Sequence, residues 1–245
     1  MTAIKYRVLV TGYGPFRNYK ENPSWLAVRR LHDSVIRTSA SSSATPESIH
    51  ISSLEVPVVY SAVLDIVPGL HAAPPVLPSS VPKDFPTPSQ DGYNLIVHVG
   101  VAGPTELRVE IFGDKTGYNI PDHEGKYAGI VEEKEGEAPV RGFADERYGM
   151  FPERLQIRVP VDPLLEGCAQ DGTILVTSTD AGHYLCDFIL YCSLAESKMA
   201  GRNTPVLFIH CPPIGEPLST EQVAEGIKSI VANVCGRLKP VSSKQ

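Results

Sequence analysis

The sequence predicts an α/β protein built on a largely parallel sheet with helices on both faces. Two observations predict it. Strand-like runs alternate with helix-like runs along the chain, and most strand-like runs are continuously apolar instead of alternating. Continuous apolar runs are what strands buried on both faces require. In such sheets ligands and chemistry collect at the carboxyl ends of the strands. The turn after Thr11, the loop after Val99 and the turns after Ser178 and Ile209 are therefore the places to look.

Lys5–Thr11 (KYRVLVT) is β-rich and ends at Gly12. Asn22 then reads as a helix N-cap and Pro23 as the first helical residue, a position where proline loses nothing. Trp25, Val28 and Leu31 follow at helical spacing. Ile51–Val59, with Pro57 inside it, and Leu95–Val99 read as the next strands. The second runs into Gly100-Val101-Ala102-Gly103. Between them Pro68–Pro88 is dense in proline and reads as a surface loop. Arg37–Ser48 is Ser/Ala-rich and reads as an insertion, and residues 122–150 as an excursion outside the core.

Ile174–Ser178 is a predicted strand, followed by Asp180-Ala181-Gly182 and a helix from about His183 to Ser197. That helix is apolar nearly all round, so it is expected to be buried. Val206–Cys211 is the last strand, closed by Pro212-Pro213. A helix from Ser219 to about Leu238 opens on a Ser219/Gln222 capping box and buries Val223, Ile227, Ile230 and Val234.

The chain has 245 residues, enough for one large domain, and it is read as a single domain throughout. Hydrophobic residues are 42%, charged residues 20% and the net charge −6. This balance argues against a nucleic-acid partner or an anionic membrane surface. No run approaches the roughly 18 apolar residues of a membrane span, and Met1–Tyr6 is too polar for a signal-peptide core. A cytoplasmic location is expected. Five cysteines, with no CxxC pair, point to reduced thiols and against a disulfide framework or a structural zinc site.

One thiol sits where chemistry is expected. Cys186 falls in the first turn of the predicted helix, where the helix dipole favours thiolate. A buried helix is also a rigid mount for a nucleophile. A nucleophilic thiol needs a base, and the base an orienting acid. His210 ends the strand Val206–Ile209, and Glu110 lies in Leu107-Arg108-Val109-Glu110-Ile111. Each has a plain alternative as a core cysteine, a core histidine or a solvent-facing strand carboxylate. His183 and Cys186, at i and i+3, form a rival pair that is a weak metal site without a third ligand. His98 and His123 have no obvious acid beside them. Residue chemistry alone reaches a Cys-dependent hydrolase and no further.

Four blocks go further. They are Val10-Thr11-Gly12-Tyr13-Gly14-Pro15-Phe16 with Asn22-Pro23-Ser24-Trp25, His98-Val99-Gly100-Val101-Ala102-Gly103, Asp180-Ala181-Gly182-His183-Tyr184-Leu185-Cys186-Asp187-Phe188, and Phe208-Ile209-His210-Cys211-Pro212-Pro213-Ile214-Gly215. In this order they resemble the cysteine-type pyroglutamyl peptidases, also called pyrrolidone carboxyl peptidases. The third block is most similar to vertebrate members. The resemblance implies a three-layer α/β/α open sandwich around a mostly parallel, mixed sheet. It implies a Cys-His-Glu triad at Cys186, His210 and Glu110, the last on a weaker match.

It further implies a cysteine omega peptidase that removes N-terminal pyroglutamate (5-oxoproline) from small peptides through an acyl-enzyme, without cofactor or metal. Tyr13, Phe16, Asn22, Ile120, Tyr184 and Leu185 would form the substrate pocket. Backbone N–H groups near Cys186 or in the Gly100–Gly103 loop would hold the oxyanion. A catalytically inactive relative that binds N-terminally blocked peptides is the alternative reading, and another amidase or nucleoside hydrolase a weaker one. Two departures stand out. Family members often carry Phe at the Tyr13 position, and bacterial members carry Arg before the Ile-Pro-Asp that is Ile120-Pro121-Asp122 here, where this chain has Asn119. Segments near 37–48, 68–92 and 126–165 are extra relative to compact members, so no assembly state is carried over.

Overall fold

A computed structural model describes residues 3–39 and 45–238. The strands are β1 (Ile4–Tyr13), β2 (Ser34–Arg37), β3 (Ser48–Val56), β4 (Leu95–Val101), β5 (Leu107–Glu110), β6 (Phe112–Asp114), β7 (Gly129–Glu132), β8 (Val140–Gly142), β9 (Arg154–Gln156), β10 (Leu175–Ser178) and β11 (Val206–Cys211). The α-helices are α1 (Pro23–Val28), α2 (Tyr60–Leu70), α3 (Val161–Gln170), α4 (Leu185–Met199) and α5 (Thr220–Cys235).

Seven strands form the central sheet in the order β10-β5-β11-β4-β1-β3-β2. β3, β1, β4 and β11 are parallel neighbours, while β2 and β5 run against β3 and β11. The sheet is therefore mixed and mostly parallel, as expected. Helices α2 and α4 pack together, and α1 and α3 each pack on α5. Val8, Val10, Val97, Leu207 and Ile209, all on central strands, are fully buried, which explains their continuous apolar runs.

Three local expectations hold in detail. The Asn22 side chain caps α1 with Pro23 at its start. Ser219 and Gln222 form both bonds of the capping box on α5. Val223, Ile227, Ile230 and Val234 are all buried beneath it.

Other expectations are corrected. The third strand stops at Val56, before Pro57, because proline cannot donate to the ladder. The segment read as proline-rich loop from Pro68 begins inside α2, whose last turn contains Pro68. Arg37 and Ser48, read as ends of an insertion, terminate β2 and begin β3, and residues 40–44 between them lie outside the described residues. The 122–150 segment is not wholly outside the core. Its β7–β8 hairpin is exposed, but Phe143 and Tyr148 are buried, with the Phe143 ring stacked on Phe188 4.0 Å away. Finally, β10 is parallel to β5 and so runs against the central four strands. Ser178 therefore does not share their carboxyl end, and the chain reaches α4 through a turn with Gly182 and His183 at positive φ.

Candidate active site

Helix α4 begins at Leu185, two residues later than expected, so Cys186 is its second residue. Twelve of its fifteen residues are buried, among them Leu185, Asp187, Phe188 and Tyr191. Cys186 itself is half-buried. Its sulfur lies over Gly100: a Cβ built there would meet Cys186 Sγ at 2.8 Å and Phe208 Cζ at 2.7 Å. Any side chain at position 100 would push the sulfur away. The glycine after His98-Val99 thus acts as the floor under the thiol.

His210 is the register partner of Gly100 on the adjacent strand. The sheet spacing of about 4.8 Å places the imidazole beside the sulfur's floor. Glu110, across from β11 on β5, accepts from His210 Nδ1 at 2.6 Å. Both residues are buried, and the ring packs edge-on against Phe208. With Nδ1 tied to a carboxylate, Nε2 is the nitrogen left to exchange a proton. Cys186, His210 and Glu110, singled out in the sequence, converge on one end of the sheet.

The expected thiolate does not. Burial raises the Cys186 thiol well above its usual range, and the Glu110 and Asp187 carboxylates push it further the same way. These outweigh the partial positive charge of the helix start. These influences favour the thiol over the thiolate, so a base is needed at the moment of attack.

The pocket residues divide. Phe16 and Tyr184 lie ring against ring at 5.6 Å, both partly exposed. Ile120 is close by: Tyr184 Oη donates to Pro121 C=O at 3.2 Å and Tyr60 Oη to Ile120 C=O at 3.0 Å, which leaves the Ile120 side chain exposed. Leu185 is buried in the core. Tyr13 is also buried, with its hydroxyl donating to the Leu185 carbonyl. Asn22 is held within its own loop. Its Oδ1 accepts from the Ser24 N–H and hydroxyl, its Nδ2 donates to Gly14 C=O, and the residue is buried. Those bonds shape the loop between β1 and α1. Asn119 is exposed, and its N–H donates to Gly117 C=O.

Tyr60 and Tyr118 back the pocket in an aromatic cluster with Phe188. Sequence reasoning missed both. Tyr60 lies in the undetected α2, and Tyr118 two residues before Ile120, the only local signal available. A cavity of about 540 Å³ lies elsewhere, between Trp25, Leu54 and Phe85, and includes none of Cys186, His210 or Glu110.

Two other clusters hold similar residue types. His183 turns from Cys186 to Asp187, Nδ1 to Oδ2 at 3.2 Å. With Asp114 these three place ligand atoms within 4.8 Å of one another. However, Arg154 donates to both Asp114 oxygens, at 2.6 and 2.9 Å, and supplies the positive charge there. Deeper in α4, Cys192, Glu196 and His71 form no relay. His71 bonds Ser193, Glu196 bonds Tyr148 and Arg147, and Cys192 is fully buried against Tyr148.

Fold and site together define an α/β/α sandwich with the constellation of a cysteine-type hydrolase. Comparison with known proteins sharpens this. No protein-family model matches the chain. Among curated relatives, pyroglutamyl-peptidase 1 of Mus musculus is 29% identical over 238 residues, covering 95% of this chain and 91% of the relative. The Homo sapiens protein of the same name is 29% identical over 243 residues, covering 97% and 93%. The pyrrolidone-carboxylate peptidase of Brachyspira hyodysenteriae is 27% identical, covering 86% of each chain. In fold, a mutant pyrrolidone carboxyl peptidase of Pyrococcus furiosus superposes with a TM-score of 0.69 at 21% identity, over 95% of this chain and 100% of that one. The pyroglutamyl peptidase I of Bacillus amyloliquefaciens gives 0.68 at 20%, over 95% and 98%. The chain is thus similar in sequence to proteins named pyroglutamyl-peptidase over nearly its whole length and shares the α/β fold of the pyrrolidone carboxyl peptidases.

Proposed function

We propose that this protein is a cysteine omega peptidase that removes N-terminal pyroglutamate from small peptides. The observation that carries the reading is the buried His210–Glu110 pair beside Cys186, in a chain similar to proteins named pyroglutamyl-peptidase over nearly its whole length.

In this reading His210 Nε2 takes the Cys186 proton as the sulfur attacks the carbonyl joining pyroglutamate to the next residue. Glu110 holds the ring's tautomer and stabilises the imidazolium. The tetrahedral oxyanion falls near the start of α4, where backbone N–H groups precede the first intrahelical bond. Its collapse breaks the C–N bond, and His210 returns the proton to the leaving amine. Water, deprotonated by His210, then cleaves the thioester and releases pyroglutamate.

The lactam has no ionisable amine, so an apolar pocket with few polar partners suits it. Phe16, Tyr184 and Ile120 supply that character. All five cysteines are free thiols. A cytoplasmic setting, where thiols stay reduced, fits a peptidase that depends on one. Among the described residues no helix is long and apolar enough to cross a membrane.

Cys186→Ala tests the nucleophile. Turnover of a fluorogenic pyroglutamyl amide should vanish while the melting temperature stays within a few degrees. Undiminished turnover overturns the assignment. Wild-type protein that binds the amide without cleaving it would instead support the inactive, peptide-binding alternative.

A further inference from the structure

Tyr13 ends β1 and Leu185 begins α4, 172 residues away. The Tyr13 hydroxyl donates to the Leu185 carbonyl. That carbonyl belongs to the peptide unit whose other half is the Cys186 N–H. A peptide unit is planar, so fixing its oxygen fixes the direction of its N–H. Donation to the carbonyl also polarises the amide and strengthens the N–H as a donor.

This N–H is well placed. It belongs to the same residue as the attacking sulfur. It also precedes the first intrahelical bond of α4, from Phe188 N–H to Tyr184 C=O, so the helix does not consume it. An oxyanion formed by attack of that sulfur lies next to it. The opposite wall has less to offer, because the Ala102 N–H is taken by Cys211 C=O at 2.9 Å. Burial holds the Tyr13 phenol well above its ordinary range, with Cys186 acting in the same direction, so the hydroxyl remains a donor at any working pH.

From this geometry we infer that Tyr13 is a positioning residue for the reaction: its hydroxyl holds the Leu185–Cys186 peptide so that the Cys186 N–H is aimed at the oxyanion. The inference rests on the reading of Cys186 as the nucleophile. It gives a reason for the buried Tyr13 hydroxyl. It also leaves recognition of the lactam ring mainly to Phe16, Tyr184 and Ile120.

The test compares wild type with Tyr13→Phe, all rates normalised to titrated thiol so that partly unfolded protein does not count. Three quantities are read: kcat and KM for a pyroglutamyl amide, affinity for a pyroglutamyl aldehyde, and the rate of Cys186 alkylation by iodoacetamide. The aldehyde adduct carries an oxyanion; alkylation does not. Tyr13→Phe should lower kcat about tenfold, less than the hundredfold or more that follows outright removal of an oxyanion donor. Aldehyde affinity should fall by the same factor, with KM and alkylation within twofold of wild type. If Tyr13→Phe yields too little folded protein, Tyr13→Leu is read the same way.

Unchanged kcat, a rise in KM alone, or alkylation falling in step with kcat would each overturn the inference. The second outcome makes Tyr13 a pocket wall, and the third makes it a general support of the helix. Failure of the wild type itself to cleave the amide sinks the functional reading instead, so the two failures are separable.

Discussion

Two histidine–carboxylate pairs flank the same thiol, and their difference shows what makes one of them a relay. His210 and Glu110 both project from β-strands and are almost wholly buried, 2.6 Å apart. His183 stands in a turn at positive φ, with its side chain 47% exposed, and meets Asp187 at 3.2 Å. Among the described residues no Lys or Arg pairs with Glu110, whereas Asp187 shares its surroundings with the Arg154–Asp114 ion pair and accepts the Asp114 N–H at 2.8 Å. Burial raises Asp187 to about 7, although the Asp114 N–H and His183 pull it down. The first pair is held by two strands of one sheet and presents its second nitrogen beside the Gly100 floor. The second pair joins a turn to a helix, with its histidine facing water and its carboxylate buried. Both pair a histidine with a carboxylate, and the mounting sets them apart.

The comparison breaks most sharply on the carboxylates. Glu110→Gln should lower kcat about a hundredfold or more, because an amide can present N–H to His210 Nδ1 and favour the wrong tautomer. Asp187→Asn should change kcat by less than about threefold, since Asn keeps an oxygen for the Asp114 N–H. Steady-state kinetics on a pyroglutamyl amide separates the two. Equal losses would mean that the His183–Asp187 pair also serves the reaction.

The next effect concerns the thiol. Because burial and Glu110 keep Cys186 protonated, its alkylation by iodoacetamide should climb with pH by nearly tenfold per unit, with no plateau below about pH 9. A plateau at neutral pH would show a preformed thiolate and make the helix start the stronger influence. Smallest of all is His183→Asn. Asparagine tolerates the left-handed backbone there, and activity should stay within twofold.

Much of this was legible in the sequence for a physical reason. Central strands such as Leu95–Val101 and Val206–Cys211 are buried on both faces, so they read as unbroken apolar runs. The Asn22 and Ser219 caps are local hydrogen bonds written in adjacent residues. Helices α2 and α3 were hidden by prolines. Pro68 sits in the last turn of α2, and Pro163 in the first turn of α3, where a missing N–H costs little.

In the site, residue type and block order singled out Cys186, His210 and Glu110. What no local pattern could give was contact across the fold. The Cys186–Gly100 approach, the Tyr13–Leu185 bond and the reversed direction of β5 and β10 depend on residues far apart in the chain. The Asn22 bond to Gly14 C=O is likewise not written in any local pattern, although its cap on α1 is.

The most direct measurement is hydrolysis of a fluorogenic pyroglutamyl amide before and after one equivalent of iodoacetamide, with the modified residue located by mass spectrometry. The prediction is steady hydrolysis that disappears in proportion to alkylation of Cys186. Hydrolysis that survives complete modification of Cys186, or none at all from fully reduced protein, would contradict the account.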